Sequence, residues 1–545
     1  MAKNRSKRHA AARAAVPIAP SELATAPSAL ATAPSELPTA PSALPTASPA
    51  VVTEADTEPT SVRWLAMAPA VLAGVFLLTF LLVSVRRIAY PFALEWMEGG
   101  MLDEVRWLLA GHALYVRPSV DYVPMLYNPL YFWVSAAACK ALGTSFLALR
   151  LVSLGSTLGA FALLYALVVA ETRSKMAGLL GAGLYAATFK ATQQFFDVAR
   201  VDALFVLLAV APLWVLRTRP TRAGRAVAAA LLVLCFLTKQ SGVFVAAPLV
   251  AFVLWERRWR GVPFAAAVAG GIAACVGVLD ATSGGWYRFY AFVGPSAHRT
   301  VPYLWTEFWT VDLMGPLGCA CVGALFVLLG PGAMARRERL LWAAGLAGVL
   351  VASWSTRVHD GGWSNVLMPA YALLAALFAI ALHGASTLAG RAAPDARRRW
   401  QVLLPLVATV QLAMLLYDPK PMVPTARDEA AGWRLVETLK AAPGDTFTPS
   451  DSYLATMAGK RPHLHEMAVY DVMNGPPGEA KDALVADIRA AYARRRWAMV
   501  VTDDDLFADD VLATYQRGPD AIADPGAFYP VTGARFRPGS TFTPK

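Results

Sequence analysis

The run Glu95-Trp96-Met97-Glu98-Gly99-Gly100-Met101-Leu102-Asp103-Glu104 sets four carboxylates within ten residues, just after an apolar stretch that ends near Val85. A carboxylate at a membrane surface, partly withdrawn from water, has a raised pKa and can take a proton from a hydroxyl as a general base. Asp103 and Glu104 suit the solvated face of an interfacial helix. That reading suits Glu95 and Glu98 less well, and Glu98, among apolar residues near a span end, is a candidate base.

A second acidic segment, Phe196-Asp197-Val198-Ala199-Arg200-Val201-Asp202, leads into another apolar run, and Asp202 is its last charge. An Asp there caps a helix well, a role compatible with a place in an active site. Lys239, in Thr238-Lys239-Gln240-Ser241-Gly242, interrupts about thirty otherwise apolar residues. An ionisable group at membrane depth is a functional candidate, and an ammonium there can hold a phosphate by a charge-assisted contact. The plainer reading is a bend between two short helices with the lysine reaching outward. His298-Arg299 and Arg357-Val358-His359 add cations further on; each alone is an ordinary surface charge.

Two other signals carry less. Asp503-Asp504-Asp505 follows an expected strand, as the Asp-x-Asp of nucleotide-sugar enzymes does, but it falls in a tail expected outside the cell, away from nucleotide sugars; a helix N-terminus suits it better. His463-Leu464-His465-Glu466 would set two imidazoles on one strand face, with no further ligand for a metal.

The 545 residues are 56% hydrophobic and only 16% charged, outside the range of soluble globular chains. The apolar residues come in runs of about twenty, the length that crosses roughly 30 Å of hydrocarbon. The formal charge of +11 does not indicate a nucleic-acid partner, because Lys and Arg cluster between apolar runs, where they orient a membrane protein. Cys139, Cys235, Cys275, Cys319 and Cys321 all lie in apolar segments, so neither a disulfide framework nor a zinc site is implied.

Residues 1–62 read as a disordered cytoplasmic tail: a basic start without a signal peptide, then a Pro-containing seven-residue repeat over 19–46 that excludes a coiled coil. Spans are expected at Trp64–Val85, 146–170, 176–191, 203–216, a broken pair within 226–255, 262–281, 311–330, 340–354, 366–383 and 401–417, about eleven in a membrane domain of 63–417. Pro129–Gly143 is too short to cross. Reading it as an interfacial helix places Arg173/Lys175, Arg217/Arg219/Arg222/Arg225, Arg257/Arg258/Arg260, Arg336/Arg337/Arg339 and Arg391/Arg397/Arg398/Arg399 on one side with the basic N-terminus. The acids and Lys239 then fall on the outer side. Residues 418–545 predict a small periplasmic α/β domain, with amphipathic helices at Trp433–Lys440 and Asp482–Arg495 and a buried strand at Trp497–Thr502. The fold class is thus all-α and polytopic, with juxtamembrane helices in the first outer loop and this α/β domain appended.

The acid-bearing loop after the first span, Gly111-x-x-x-Tyr115, Tyr127-x-Pro129-Leu130, Ala199-Arg200-x-Asp202 and Thr238-Lys239-x-x-Gly242, in that order and on one side, resemble the GT-C glycosyltransferases. Nearest is the bacterial branch with the lipid A aminoarabinose transferases and rhizobial core galacturonosyltransferases, related to protein O-mannosyltransferases. The resemblance covers about residues 64–420. It implies a base in the first outer loop; Met97-Glu98 stands where the family often has an Asp-Glu pair, so Glu98 inherits the role and Glu95 is the reserve. It further implies an acid at Asp202 beside the active site, a lysine at Lys239, and His298 or Arg299 near the carrier phosphate. Arg200, Tyr127, Tyr131 and His359 are counted with them as substrate- or phosphate-binding.

The reaction this implies is transfer of a sugar from a polyprenyl-phosphate-linked donor to an envelope glycan, lipid or protein on the outer face of the inner membrane. No nucleotide is required; the resemblance admits a divalent cation, though the sequence offers no dedicated ligand set and no metal residues are assigned. Two rival classes are a multi-span lipid or glycan transporter or flippase, which would keep its charges in paired midplane repeats, and a non-catalytic envelope-assembly scaffold, which needs none of these acids.

Overall fold

The computed structural model describes residues 60–330, 334–502 and 507–545. The repeats at 19–46 and Asp503-Asp504-Asp505 lie outside them.

The chain is a multi-helix membrane protein with a small α/β region towards its C-terminus. Among the described residues, five segments are long and apolar enough to cross a membrane by themselves: Trp64–Arg87, Phe146–Thr172, Gly242–Thr282, Leu304–Leu329 and Ser364–Ala389. Between them lie helices with charged or shorter sequences. In chain order the elements that build the site are α1 (Thr60–Arg87), α2 (Glu98–Leu109), α3 (Leu130–Leu142), α4 (Phe146–Thr172), α5 (Lys175–Ala187), α6 (Asp202–Thr218), α7 (Arg222–Thr238), α8 (Gly242–Arg257) and α9 (Val262–Thr282). Further helices follow at Gly315–Leu329, Arg336–Arg357, Met368–Ala389 and Pro394–Ala413.

At 13 residues, α3 is about 20 Å long, too short for a hydrocarbon core, and it packs between α2 and α4. The break expected at Lys239 is present: α7 ends there, Lys239 takes extended backbone (φ −152°, ψ 137°), and α8 starts three residues later.

Met368–Ala389 is the hub. Its residues from Met368 to Ala381 are all buried, and it packs against α4, α5, α6 and the helices on either side of it in sequence. Alanine fills its surface because small side chains let backbones approach closely where the hydrophobic effect cannot drive helices together. The same principle fixes Gly183 of α5, where a Cβ would collide with Ala73 of α1. At one end of the bundle Glu171 joins Arg217 (2.5 and 3.1 Å) and the Trp342 indole (3.0 Å), tying α4, α6 and Arg336–Arg357 together.

The C-terminal region is built on a four-stranded sheet of β1 (Thr446–Phe447), β2 (Met499–Thr502), β3 (Tyr515–Asp520) and β4 (Ser540–Pro544), in the order β1-β2-β4-β3. The pair β1/β2 is parallel and the other two are antiparallel. The expected helix Trp433–Lys440 lies within Ala426–Ala441, the expected Asp482–Arg495 overlaps Glu479–Ala493 but ends two residues sooner in the structure, and the expected strand contains β2. Trp497 stacks on Phe447 at 4.2 Å in the core.

This region sits directly on the first loop. Gly99 and Gly100 of α2 make the approach feasible, since a Cβ at Gly99 would lie 2.5 Å from Tyr453 and one at Gly100 3.0 Å from His465. Backbone bonds from Thr532 N to Leu94 O (2.9 Å) and from Leu464 N to Val120 O (3.2 Å) complete the seam.

Candidate active site

A cavity of about 640 Å³ opens between the helix ends and the C-terminal region. Its floor comes from the first loop, the segment before α6, and the α7/α8 break; its walls from loop 301–304, residues 356–366 and the C-terminal region.

Glu95 lines this cavity and is buried. Its Oε2 accepts from Arg200 Nη1 at 2.8 Å and from Met97 N at 3.2 Å. Burial pushes its pKa up to about 7; nearby Glu98 adds to the rise and the Arg200 guanidinium opposes it. Arg200 also donates to the Tyr127 hydroxyl at 2.7 Å and to Met97 Sδ at 2.9 Å. Its buried Nε has no protein partner among the described residues. Glu95, Arg200 and Tyr127 thus form one connected group at the cavity.

Lys239 reaches the same cavity from the helix break and donates to Asp202 Oδ1 at 3.0 Å. Asp202 is the first residue of α6 and lies just behind the lysine. An ammonium carries three donors, so one bond to Asp202 leaves others for a ligand.

Glu98 is placed differently. It is fully buried and does not line the cavity; Arg150 grips both its oxygens (3.0 and 2.6 Å), and the amides of Leu94 and Ala199 donate to it at 2.6 Å each. Asp197 is likewise buried against Arg87, which also bonds to Thr532 Oγ1 and the carbonyls of Met422 and Gln194.

The other expected residues divide. Tyr127 and His359 line the cavity; the His359 Nδ1 lies 2.6 Å from the Ser355 carbonyl, which fixes its ring. Tyr131 is buried outside it, bonded to Leu149 O and Ser153 at 3.2 Å. His298 and Arg299 do not line it: the His298 ring packs on Asp471, 3.3 Å from its carbonyl oxygen, and Arg299 is exposed, its carbonyl accepting from Asp360 N at 2.8 Å. Asp471 itself is buried, and burial lifts its pKa to about 8 against the pull of Arg200.

Arg357 also lines the cavity, held by Asp312 (2.8 Å) and Gly362 O (2.6 Å); nothing in its spacing distinguishes it from the cations around it. Also unexpected are the aromatic Trp96, Trp363 and Phe536 and the C-terminal Ser450, Glu466 and Tyr470. Apart from Trp96, which lies in the first loop, no spacing links these to it.

The two imidazoles of His463-Leu464-His465 do not share a strand face, because the segment is not a strand. His463 Nδ1 meets Asp121 at 3.1 Å, and His465 caps the helix Glu466–Asn474 by accepting from Met467 N at 3.1 Å. Among the described residues no group of three His, Cys, Asp or Glu is arranged to hold a metal. Glu95 and Asp202 are each already paired with a cation, so an ion there would have to displace Arg200 or Lys239.

Residues 123–279 match the family model of dolichyl-phosphate-mannose-protein mannosyltransferases. No curated protein sequence matches the chain. Among solved structures, ArnT from Cupriavidus metallidurans bound to undecaprenyl phosphate is similar with a TM-score of 0.54 at 12% identity, over 86% of this chain and 97% of that one. Its apo state gives 0.54 at 12% identity over 89% and 98%. The archaeal oligosaccharyltransferase AglB from Archaeoglobus fulgidus, in complex with an inhibitory peptide and a dolichol-phosphate, gives 0.51 at 11% identity over 81% and 69%. These likenesses show that the chain shares its fold with ArnT and AglB.

Proposed function

We propose that this GT-C-fold chain transfers a sugar from a polyprenyl-phosphate carrier to an acceptor hydroxyl on the outer face of a bacterial inner membrane, with Glu95 as the general base. The observation that carries the reading is Glu95 itself: a buried carboxylate with a pKa of about 7, facing a cavity whose floor also bears Arg200 and Lys239. An acid tuned near the working pH is the form a proton acceptor needs.

The step is a single displacement. The acceptor oxygen bonds to the anomeric carbon, the bond from that carbon to the phosphate oxygen breaks with its electron pair going to the phosphate, and the hydroxyl proton passes to Glu95. Lys239 and the spare Arg200 donor meet the charge that develops on the phosphate, the kind of preorganised stabilisation that supplies much of an enzyme's rate. Asp202 keeps the Lys239 ammonium aimed. Arg357 and His359 add cationic and polar surface beside the floor.

Glu98 belongs to the frame in this reading. With both oxygens occupied by Arg150 and two amides, it fixes the turn from which Glu95 projects. The topology follows the basic clusters: residues 1–62 and the Arg397–Arg399 loop cytoplasmic, membrane domain over 63–417, and the region from 418 periplasmic. The comparison with ArnT bound to undecaprenyl phosphate supports the carrier class.

The test is mass spectrometry of envelope glycans, lipids and proteins from cells with and without the chain, followed by transfer assays with the purified protein. A missing sugar restored by the wild-type chain is the expected result; an unchanged envelope would sink the proposal.

A further inference from the structure

The cavity has two chemically different halves. All cations that line it, Arg200, Lys239, Arg357 and His359 when protonated, come from the membrane domain. Among the described residues the C-terminal half offers Ser450, Glu466, Met467, Tyr470, Ala534 and Phe536, with no basic group. Arg535 and Arg537, which flank Phe536, lie with their guanidinium groups over the Tyr529 ring at 4.7 and 4.8 Å and do not line the cavity.

What this half does present is suited to a polyol. The Ser450 hydroxyl donates to the Glu466 carboxylate, which sets a carboxylate and a hydroxyl side by side on the cavity wall. Around them Tyr470 and Phe536 leave 43% and 49% of their surface uncovered, and Phe536 lies 4.9 Å from Trp96, the residue next to Glu95. Flat apolar rings with a few fixed polar groups hold a ligand that has both C–H faces and hydroxyls.

We propose, on the footing of the glycosyltransferase reading above, that the acceptor is an unphosphorylated saccharide, held by Glu466, Ser450, Tyr470 and Phe536 of the C-terminal region with its attacking hydroxyl at Glu95. A phosphate acceptor would face Glu466 with no cation on that side, a like-charge approach that interfaces use to reject partners. A peptide would be read through its backbone by a sheet edge or a groove, yet no strand of the β1–β4 sheet contributes to the cavity. In the step, the saccharide oxygen gains the bond to the anomeric carbon, the carrier phosphate departs with the electron pair, and Glu95 takes the proton.

The test adds purified full-length protein to membranes of cells that lack it, which supply donor and acceptor, and locates the transferred sugar by mass spectrometry. Undecaprenyl phosphate serves separately as the donor-side probe in a binding assay. The expected product carries the new sugar on a saccharide hydroxyl. Glu466→Gln and Phe536→Ala should each raise the KM for that acceptor roughly tenfold or more, the loss of a charged hydrogen bond or an aromatic contact, and leave undecaprenyl phosphate binding unchanged. Tyr470→Ala, at an exposed ring, repeats the measurement where folding is not at stake. A sugar found on a phosphate or on a protein overturns the proposal, as do variants that keep the wild-type KM or that lose undecaprenyl phosphate binding instead. A wild-type protein that neither binds undecaprenyl phosphate nor transfers sugar overturns the underlying reading as well, so the two failures are distinct.

Discussion

Arg150 holds Glu98 through both carboxylate oxygens, Nε to Oε1 at 3.0 Å and Nη2 to Oε2 at 2.6 Å, with both side chains fully buried. Removing one partner of such a pair leaves the other charge buried and uncompensated, at a cost of about 3–5 kcal/mol. Glu98→Gln and Arg150→Ala should therefore lower Tm in detergent by thermal-shift measurement. An unchanged Tm together with abolished transfer would return the role of base to Glu98.

Glu95→Gln should do the reverse. The amide fills the same space and can still accept from Arg200, but it cannot take a proton, so transfer should fall by roughly 10²–10⁴-fold while undecaprenyl phosphate still binds. Near-full turnover by this variant would remove Glu95 from the mechanism.

The pH dependence follows from the same group. Glu95 acts when ionised, and its pKa is raised to about 7, so kcat/KM should drop tenfold per pH unit below 7 and level off above it. Arg200 opposes the rise, so Arg200→Gln should move the limb to higher pH. A flat profile from pH 5 to 7, or a limb near the ordinary glutamate value, would contradict the assignment.

Lys239→Ala should weaken binding of undecaprenyl phosphate, measured directly, by roughly ten- to a hundredfold, the range for one hydrogen bond to a charged group. Asp202→Asn should have a smaller effect, since the ammonium stays but loses its anchor. Equal binding by wild type and Lys239→Ala would place the phosphate elsewhere.

The orientation can be read by cysteine labelling. With an impermeant maleimide, Glu479→Cys, at a side chain 86% exposed, should label in intact cells whose outer membrane is opened, and Arg398→Cys only after lysis. The opposite pattern would invert the topology.

Much of the frame is legible in the amino-acid order. Apolar runs, the short Pro129–Gly143 segment and the interruption at Lys239 gave α3 and the α7/α8 break, because length against bilayer thickness is a one-dimensional quantity. Arg200 and Lys239, conspicuous as charges near span ends, do line the cavity, with Tyr127 beside them and Asp202 bonded to the lysine. The choice between Glu95 and Glu98 was not legible. Arg150, 52 residues beyond Glu98, and the Ala199 amide, 101 residues beyond it, hold Glu98 in the frame, while Glu95, paired with Arg200, lines the cavity; which of two neighbouring acids faces the cavity is decided only in the fold. The same holds for Phe536 and Glu466, whose place at the cavity depends on contacts across some hundreds of residues, and for His465, whose apparent metal spacing became a helix cap.

Leu94 bonds to Thr532, Arg87 reaches the same threonine, and Phe536 meets Trp96. The loop that holds Glu95 is therefore closed by a segment that lies beyond the membrane helices in the sequence. The helix bundle alone leaves the pocket unwalled on that side, and residues 532–536 have to pack on the first loop before it closes.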